Sequence, residues 1–456
     1  MGLDNEVIPT SRDSPAAKNR FIYYPDHLVR MPAPGPRFLS GVEWQEPVFD
    51  DVFKGLFLEL FRPKRPQIDD ESVGSFISRR FSPQIADNLV SAILHGIYAA
   101  DVNSLSVRAI MPQLWWLEEH YRSIPIGLVK SVLQGKGIIA AREFQALQRL
   151  RQRASVSALD LKAATGSELL DKLQQASVYT FKGGLETLAK SLEKYLNDHP
   201  NVTFRLGANL QQPIRTDNPA KNPATRDIRD IIIDSSAFSH VLSTLPAPAL
   251  STLLAPQGYL PTIRSATLQV VNLYYADPNL ITVPGFGYLL PRSVPFTENP
   301  EFGLGVIFDS ATSASLDSVS LPGTKLTVML GGHWWDSWTS YPTEEEGIAM
   351  AQSLLRRHLG IKDTPLYAKA TLQRDCIPQY DVGHLKKVAA YRKELKRFGG
   401  RVRAMGNWAG GVGVNDCVMG AFEMVQGMKD GTDGTGLEGV AKGDQFLRFE
   451  LNASKN

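Results

Sequence analysis

The chain has 456 residues, 43% of them hydrophobic and 21% charged, and 49 basic against 47 acidic residues leave a net charge of +2. These ordinary globular values exclude bulk disorder, and the charge balance excludes a nucleic-acid binder living on phosphate contacts. Two cysteines, Cys376 and Cys417, exclude a disulfide framework and point to a reducing compartment.

At about 150 residues per domain, the length suggests roughly three domain-sized units. Up to about residue 60 the chain is proline-rich and irregular, with a strand-like NRFIYY at 19–24. From 69 to about 175, apolar residues recur at spacings of three and four in SVGSFISRRF, IADNLVSAILHGIYAA and IMPQLWWLEEHY, which predicts helices. Lys130, Lys136, Arg142, Arg149, Arg151 and Arg153 follow Trp115 and Trp116 there. Clustered bases near aromatics suit a membrane surface, and a solvated helical face fits the same pattern. After residue 178, GGLETLAKSLEKYL predicts a helix, and NVTFRLGANL, RDIIIDSS and SHVLSTLPA predict short strands. SATLQVVNLYYA, GFGYLLP, GLGVIFDS and KLTVMLGGHWW predict the strands of one sheet, with a helix at EEGIAMAQSLLRRHLG after them. The last predicted unit is a strand at 401–405, a glycine-rich turn and a helix over 415–428, and the tail beyond reads as loose.

Several chemistries find no motif. The eight histidines never pair at metal-ligand spacing and there is no CxxC, so no metal site is expected. There is no GxxxxGK loop and no GxSxG elbow. A literal GxGxxG at Gly434, Gly436 and Gly439 follows no strand pattern and is read as tail. No run reaches the ~18–20 apolar residues that span a bilayer, and the first residues resemble neither a signal nor a transit peptide. The informative stretch is GNWAGGVGVNDC at 406–417, ahead of an amphipathic helix. Its glycines allow close backbone approach, and a helix amino end stabilises a negative ligand such as a reduced flavin or a pyrophosphate. A plain strand–turn–helix connection fits the same residues.

Together with CIPQYDVGH (376–384), GFGYLLP (285–291), LSVRAIMPQLW (105–115), RDSPAAKNRFIY (12–23) and FKGGLETLAKSLE, that turn resembles the oxygen-dependent protoporphyrinogen oxidases. The wording of the turn is most similar to fungal members, and the match runs collinearly over roughly 1–428. The resemblance implies an α/β (α+β) FAD-binding, amine-oxidase-like fold. It also implies flavin-dependent oxidation of protoporphyrinogen IX to protoporphyrin IX in haem biosynthesis, with oxygen as acceptor and hydrogen peroxide as product. FAD carries the redox chemistry, so no residue is expected to act as a catalytic acid or base.

Residue by residue, Arg20 matches the arginine that anchors a substrate propionate. Leu289, Phe308 and Met329 match apolar positions beside the macrocycle; from alternation alone they read as sheet core. Gly406, Gly411, Val412, Gly413 and Val414 match the flavin-contacting turn, and Leu210 matches an apolar residue against the adenine half. Ala100 stands where the family has a glycine near flavin and substrate.

The chain begins where the family's first strand–GxGxxG–helix unit has ended. It is therefore expected to lack the dinucleotide half of the fold, as a fragment, an incomplete gene model or a truncated product. The expected segments are 1–65 and 251–395 for a mixed-sheet substrate domain and 66–178 for a helical membrane-associating block. Residues 179–250 and 396–430 would belong to the FAD domain, with 431–456 as tail. The resemblance also implies a peripheral place on the mitochondrial inner membrane and a homodimer, with no nucleic acid. Two alternatives remain: a non-catalytic porphyrin-binding protein, and another amine-oxidase-like flavoprotein such as a polyamine oxidase or carotenoid desaturase.

Overall fold

The structure, a computed structural model, describes residues 2–32, 41–65, 67–134, 136–140, 167–210, 212–216, 230–254, 260–312, 322–431, 434–440 and 446–450. The chain opens with strands β1 (Val7–Ser11), β2 (Phe21–Tyr23) and β3 (Leu28–Arg30), then helix α1 (Val52–Glu59). A helical block follows: α2 (Val73–Arg80), a π-helical turn at Ile85–Val90 running into α3 (Ser91–Tyr98), α4 (Pro112–Tyr121) and α5 (Ile124–Leu133). Ser72 caps α2 by accepting from Ser75 N, and Pro112 opens α4, where a missing N–H costs nothing.

Next come β4 (Lys136–Ala140), α6 (Ser167–Gln174), β5 (Ala176–Phe181) and α7 (Glu186–Asn197). A small meander of β6 (Arg215–Thr216), β7 (Ile231–Ile233) and β8 (Ser236–Phe238) precedes β9 (Val241–Ser243) and α8 (Ala247–Leu254). The long strands are β10 (Ser265–Tyr275), β11 (Gly287–Leu289), β12 (Gly303–Phe308) and β13 (Thr324–Gly331). After them come α9 (Glu344–Leu359), β14 (Tyr367–Pro378), α10 (His384–Leu395), β15 (Val402–Ala404), α11 (Val414–Asp430) and β16 (Phe446–Glu450).

Seven strands form one mixed sheet in the order β14-β10-β13-β12-β11-β2-β3. Alternation gives it two apolar faces. One face, with Tyr23, Val271, Leu273, Tyr288, Val306, Phe308, Leu326 and Val328, is closed by Leu354 and Leu355 of α9. The opposite face carries Ile22, Val270, Leu289 and Met329, and the helical block packs across part of it through Ala92 and Ala99. Outside this sheet, β9 and β15 pair in parallel, Val402 to Val241 and Ala404 to Ser243. Their core joins Ile214, Leu250 and Ile263 to Val388, Tyr391, Trp408 and Leu437.

Four sequence expectations change here. Residues 201–210 form no strand; Phe204 and Leu206 are exposed, so no apolar face is buried to hold one. Lys136–Ala140, inside the stretch read as helical, is a strand paired with β16. Residues 434–440 are not loose: Leu437 is fully buried, and Ala404 N donates to Thr435 O at 2.8 Å. Strand β14, which the sequence reading omits, is the sheet's edge, where Lys369, Gln373, Arg374 and Asp375 interrupt the apolar alternation. Arg142, Arg149, Arg151 and Arg153 lie outside the described residues.

Candidate functional site

The glycine-rich turn between β15 and α11 is pinned from beneath. Gly411 N donates to the Tyr380 hydroxyl at 2.7 Å, and that hydroxyl donates to Asn407 O at 2.6 Å. His384 stacks on Tyr380, with centroids 4.0 Å apart and planes 8° apart, and its Nε2–H donates to Ala409 O at 3.2 Å. Trp408 Nε1 donates to Leu245 O at 3.0 Å. Burial drives the Tyr380 phenol well above its ordinary pKa and lowers His384 to about 4, so both stay neutral near pH 7. A sequence that supplies Tyr380 and His384 four residues apart thus fixes a loop some thirty residues onward.

The turn itself is bare. Gly406 and Gly411 have φ of 153° and 145°, a backbone shape that side chains resist, and a Cβ on Gly411 would sit 2.3 Å from Asp416. Gly413, Val414 and Asn415 are exposed at the amino end of α11, where Gly413 N is capped by Asp416 Oδ2 at 3.1 Å. An uncovered helix amino end behind a glycine-rich turn suits the ring end of a flavin, whose reduced form is anionic. Gly406, Gly411, Val412, Gly413 and Val414 are the residues that would hold it. The literal GxGxxG at Gly434–Gly439 comes after helix α11 rather than after a strand, and no other such motif occurs among the described residues.

Three elements converge at the turn. Tyr98, at the end of α3, lies 5.8 Å from Tyr380 ring to ring, and Gln379 Nε2 donates to Tyr98 O at 2.9 Å. Burial, and then the charge of Asp416, push the Tyr98 phenol up to about 12, which places it close to the α11 amino end. Ala99 follows with a left-handed φ of 52°, which ends the helix and turns the chain against Gly332 at the end of β13. Ala99 shares an apolar cluster with Ala266, Leu268, Val270, Leu304, Met329 and Trp334. The sheet face and the glycine turn therefore meet at the ends of β10, β13 and β14.

On that face Leu289 fills space left by two glycines. A Cβ on Gly96 or on Gly305 would each meet its Cδ2 at 2.9 Å. Met329 pairs with Gly305, which pairs with Leu289, so the two apolar side chains flank one bare backbone position. Met31 N donates to Arg20 O, which extends the β2–β3 ladder by one pair and puts Arg20 on the side of Ile22 and Leu289. The Arg20 guanidinium lies 5.7 Å above the Phe286 ring, is exposed, and makes no ion pair among the described residues.

The structure thus brings Arg20, Leu289 and Met329 onto one face. It does not bring Phe308 there: at 1% exposure, Phe308 sits on the opposite face opposite Leu326, because register alternation decides the side. Ala100 is likewise fully buried in the helical core with Val73, Leu94 and Leu105, and its neighbour Ala99 is the one that reaches the sheet. Leu210 is partly buried in the irregular segment before β6 and shares no core cluster with the turn.

Sequence reasoning missed a histidine pair. His95 Nδ1 lies 2.6 Å from Leu290 O, so it donates, and its Nε2 accepts from His333 Nε2–H at 2.8 Å. The pair spans 238 positions, so no local spacing announces it. Among the described residues no group of three His, Cys, Asp or Glu is placed to hold a metal.

A second surface stands out on the helical block. Glu59, fully buried at the end of α1, accepts from Ser123 Oγ at 2.6 Å and Ile124 N at 2.9 Å and so ties α1 to α5. Both helices and the turn after α1 carry apolar side chains outward, led by Phe57 at 62%, Phe61 at 68% and Leu133 at 80% exposure. Among the described residues no helix is long and apolar enough to cross a membrane.

Residues 1–423 match the family described as flavin containing amine oxidoreductase. Protoporphyrinogen oxidase of Schizosaccharomyces pombe is 34% identical over 424 residues, which is 92% of this chain and 80% of that protein. The Homo sapiens protoporphyrinogen oxidase is 31% identical over 436 residues, with the same shares. A solved protein of Exiguobacterium sp. 255-15 has the same fold at 19% identity, with a TM-score of 0.64 over 94% of this chain and 83% of that one. A reduced UDP-galactopyranose mutase has it at 12% identity and a TM-score of 0.54, covering 96% and 82%.

Proposed function

From its membership of the flavin-containing amine oxidoreductases, and within them of the protoporphyrinogen oxidases, we propose that this chain oxidises protoporphyrinogen to protoporphyrin in haem biosynthesis. It is an FAD-dependent oxidoreductase. Bound FAD supplies the hydride acceptor, and oxygen takes the electrons on to hydrogen peroxide.

The observation that carries the reading is the shared face of Arg20, Leu289 and Met329, which ends at the pinned glycine turn. A largely apolar tetrapyrrole needs apolar walls, and Leu289 and Met329 provide them. Its propionates need a cation, and Arg20 is free for bidentate pairing. The glycine turn leaves its backbone bare for a second ring beside the first. Tyr380 and His384, both neutral, hold that turn without adding charge.

The test is direct. The chain, loaded with FAD, is given colourless protoporphyrinogen in air, and red porphyrin fluorescence is followed. Oxidation well above the rate in air alone is expected, and a chain that holds FAD yet leaves the rate at the air value refutes the activity. Bound porphyrin without bound flavin would support the non-catalytic reading instead.

The Phe57, Phe61 and Leu133 surface supports peripheral membrane contact, in keeping with the inner mitochondrial membrane of the family reading. Co-sedimentation with anionic vesicles should weaken several-fold in Phe57→Glu/Phe61→Glu, and unchanged binding would remove this surface. A homodimer belongs to the same reading and is checked by sedimentation.

A further inference from the structure

We infer that His333 is the group that accepts the pyrrolic N–H of the bound tetrapyrrole through its Nδ1, and that His95 holds it in the tautomer this requires. The inference rests on the proposed function for its substrate and on the histidine pair for its chemistry.

The tautomers follow from the acceptors. Leu290 O can only accept, so the His95 proton is on Nδ1 and the lone pair is on Nε2. That lone pair faces His333 Nε2 at 2.8 Å, so the His333 proton is on Nε2. The His333 lone pair is therefore left on Nδ1. Nδ1 has no partner among the described residues, and it is not among the buried polar atoms lacking one. His333 is only partly buried, whereas His95 is sealed.

The position fits the site. His333 N donates to Ala99 O at 2.8 Å, and the His333 ring lies 4.2 Å from that of Trp334. Trp334 packs with Ala99, Leu304 and Met329, the apolar end of the proposed tetrapyrrole face. The pair thus stands at the rim of that face, where a macrocycle would present N–H donors.

Six hydrogens leave in three two-electron oxidations, four from meso carbons and two from nitrogen; in each of the two that deprotonate nitrogen, a hydride leaves a meso carbon and a proton leaves a pyrrole nitrogen. The C–H pair leaves with the hydride toward FAD, and the ring system left behind is cationic, which makes its N–H acidic. The N–H pair stays on nitrogen, conjugation is restored, and His333 Nδ1 takes the proton. The imidazolium so formed keeps Nε2–H on His95, then releases the added proton to solvent.

Charges near the pair set its basicity. His95 faces Asp101 and Arg292; His333 faces Arg292 and Arg264. Arg292 pairs with Asp87, and Arg264 with Asp381 and Asp336. Burial first, then Arg292 beside both rings and His95 and Arg264 beside His333, keep the pair neutral near pH 7, the state in which Nδ1 can accept.

Two experiments test this. In the first, the unmodified chain is carbethoxylated with diethyl pyrocarbonate, with and without protoporphyrin, and sites are read by mass spectrometry. Protoporphyrin should slow modification of His333 about fivefold or more and leave the exposed His199 and His240 unchanged. Equal labelling of His333 with and without the porphyrin overturns the inference, and this readout needs no flavin and no turnover.

The second compares wild type and His333→Gln, both FAD-loaded, on protoporphyrinogen. Glutamine keeps an N–H for His95 but cannot take a proton at neutral pH. The expected result is a kcat lower by about tenfold or more with KM little changed, and partial recovery by added imidazole in His333→Ala. Wild-type kcat in His333→Gln overturns the inference while the proposed function stands. An FAD-loaded wild type that does not turn over refutes the proposed function, and the labelling experiment still decides the placement of His333. It also decides if His333→Gln does not fold.

Discussion

Tyr380→Phe deletes one oxygen from beneath the glycine turn and leaves the ring's packing against Tyr98 and His384 in place. The lost hydroxyl serves two partners, Gly411 N at 2.7 Å and Asn407 O at 2.6 Å. At about 1 kcal/mol for each hydrogen bond, and more for a group left buried without a partner, the turn loosens by roughly 2 kcal/mol. If the turn holds the flavin ring, FAD binding must re-order it at that cost, which corresponds to affinity weaker by about thirtyfold. FAD fluorescence quenching measures the affinity, and thermal unfolding measures the fold. The wild-type affinity should be flat between pH 7 and 9, because burial keeps the phenol protonated there. Unchanged FAD affinity in a folded Tyr380→Phe would show that the pinned turn does not position the flavin.

Gly96→Ala puts a methyl 2.9 Å from Leu289 Cδ2, so Leu289 must yield; a loss of about 1–3 kcal/mol in urea unfolding and weaker protoporphyrin quenching are expected. Arg80→Met leaves Glu59, to which Arg80 Nε donates at 3.0 Å, buried with an uncompensated charge, and should cost about 3–5 kcal/mol in urea unfolding. Adding Glu59→Met should recover part of that loss. Burial lowers His95, His358 and His384 to about 4 and His333 to about 3, so between pH 6.5 and about 4 the unfolded chain binds more protons at these sites. Asp309, raised to about 6 by burial, works the other way, losing its contribution as pH rises through 6. Asp336, raised by burial, and His27, raised by Asp26, have the sign of Asp309, but four deeply depressed histidines outweigh them, so the unfolding free energy should fall from pH 7 to pH 5 by up to about 1.4 kcal/mol per pH unit for each histidine, and the urea midpoint with it. A midpoint that rises on acidification contradicts this.

The sheet was legible because β10, β12 and β13 carry long runs of Val, Leu, Ile and Tyr that need two buried faces. Strand β14 was not, since an edge strand tolerates Lys369, Gln373 and Arg374. The glycine turn was visible as a motif, and its neighbours Tyr380 and His384 lay in another quoted motif, but their hydrogen bonds join segments some thirty residues apart. Leu289 and Met329 share a face while Phe308 does not, because both pair with Gly305 and Phe308 stands three positions further along β12, a register between distant strands that composition does not reveal. Ala99 rather than Ala100 meets the sheet, because a left-handed residue at the end of α3 rotates the chain. The His95–His333 pair arises from two distant segments and has no sequence spacing to read.

The central claim is that a tetrapyrrole lies on the Leu289–Met329 face with one acid arm on Arg20. It is tested most directly by titrating protoporphyrin and its dimethyl ester into wild type and Arg20→Met. The wild type should prefer the free acid by about five- to tenfold, and Arg20→Met should bind acid and ester alike. An acid preference of the same size in both proteins would contradict the claim.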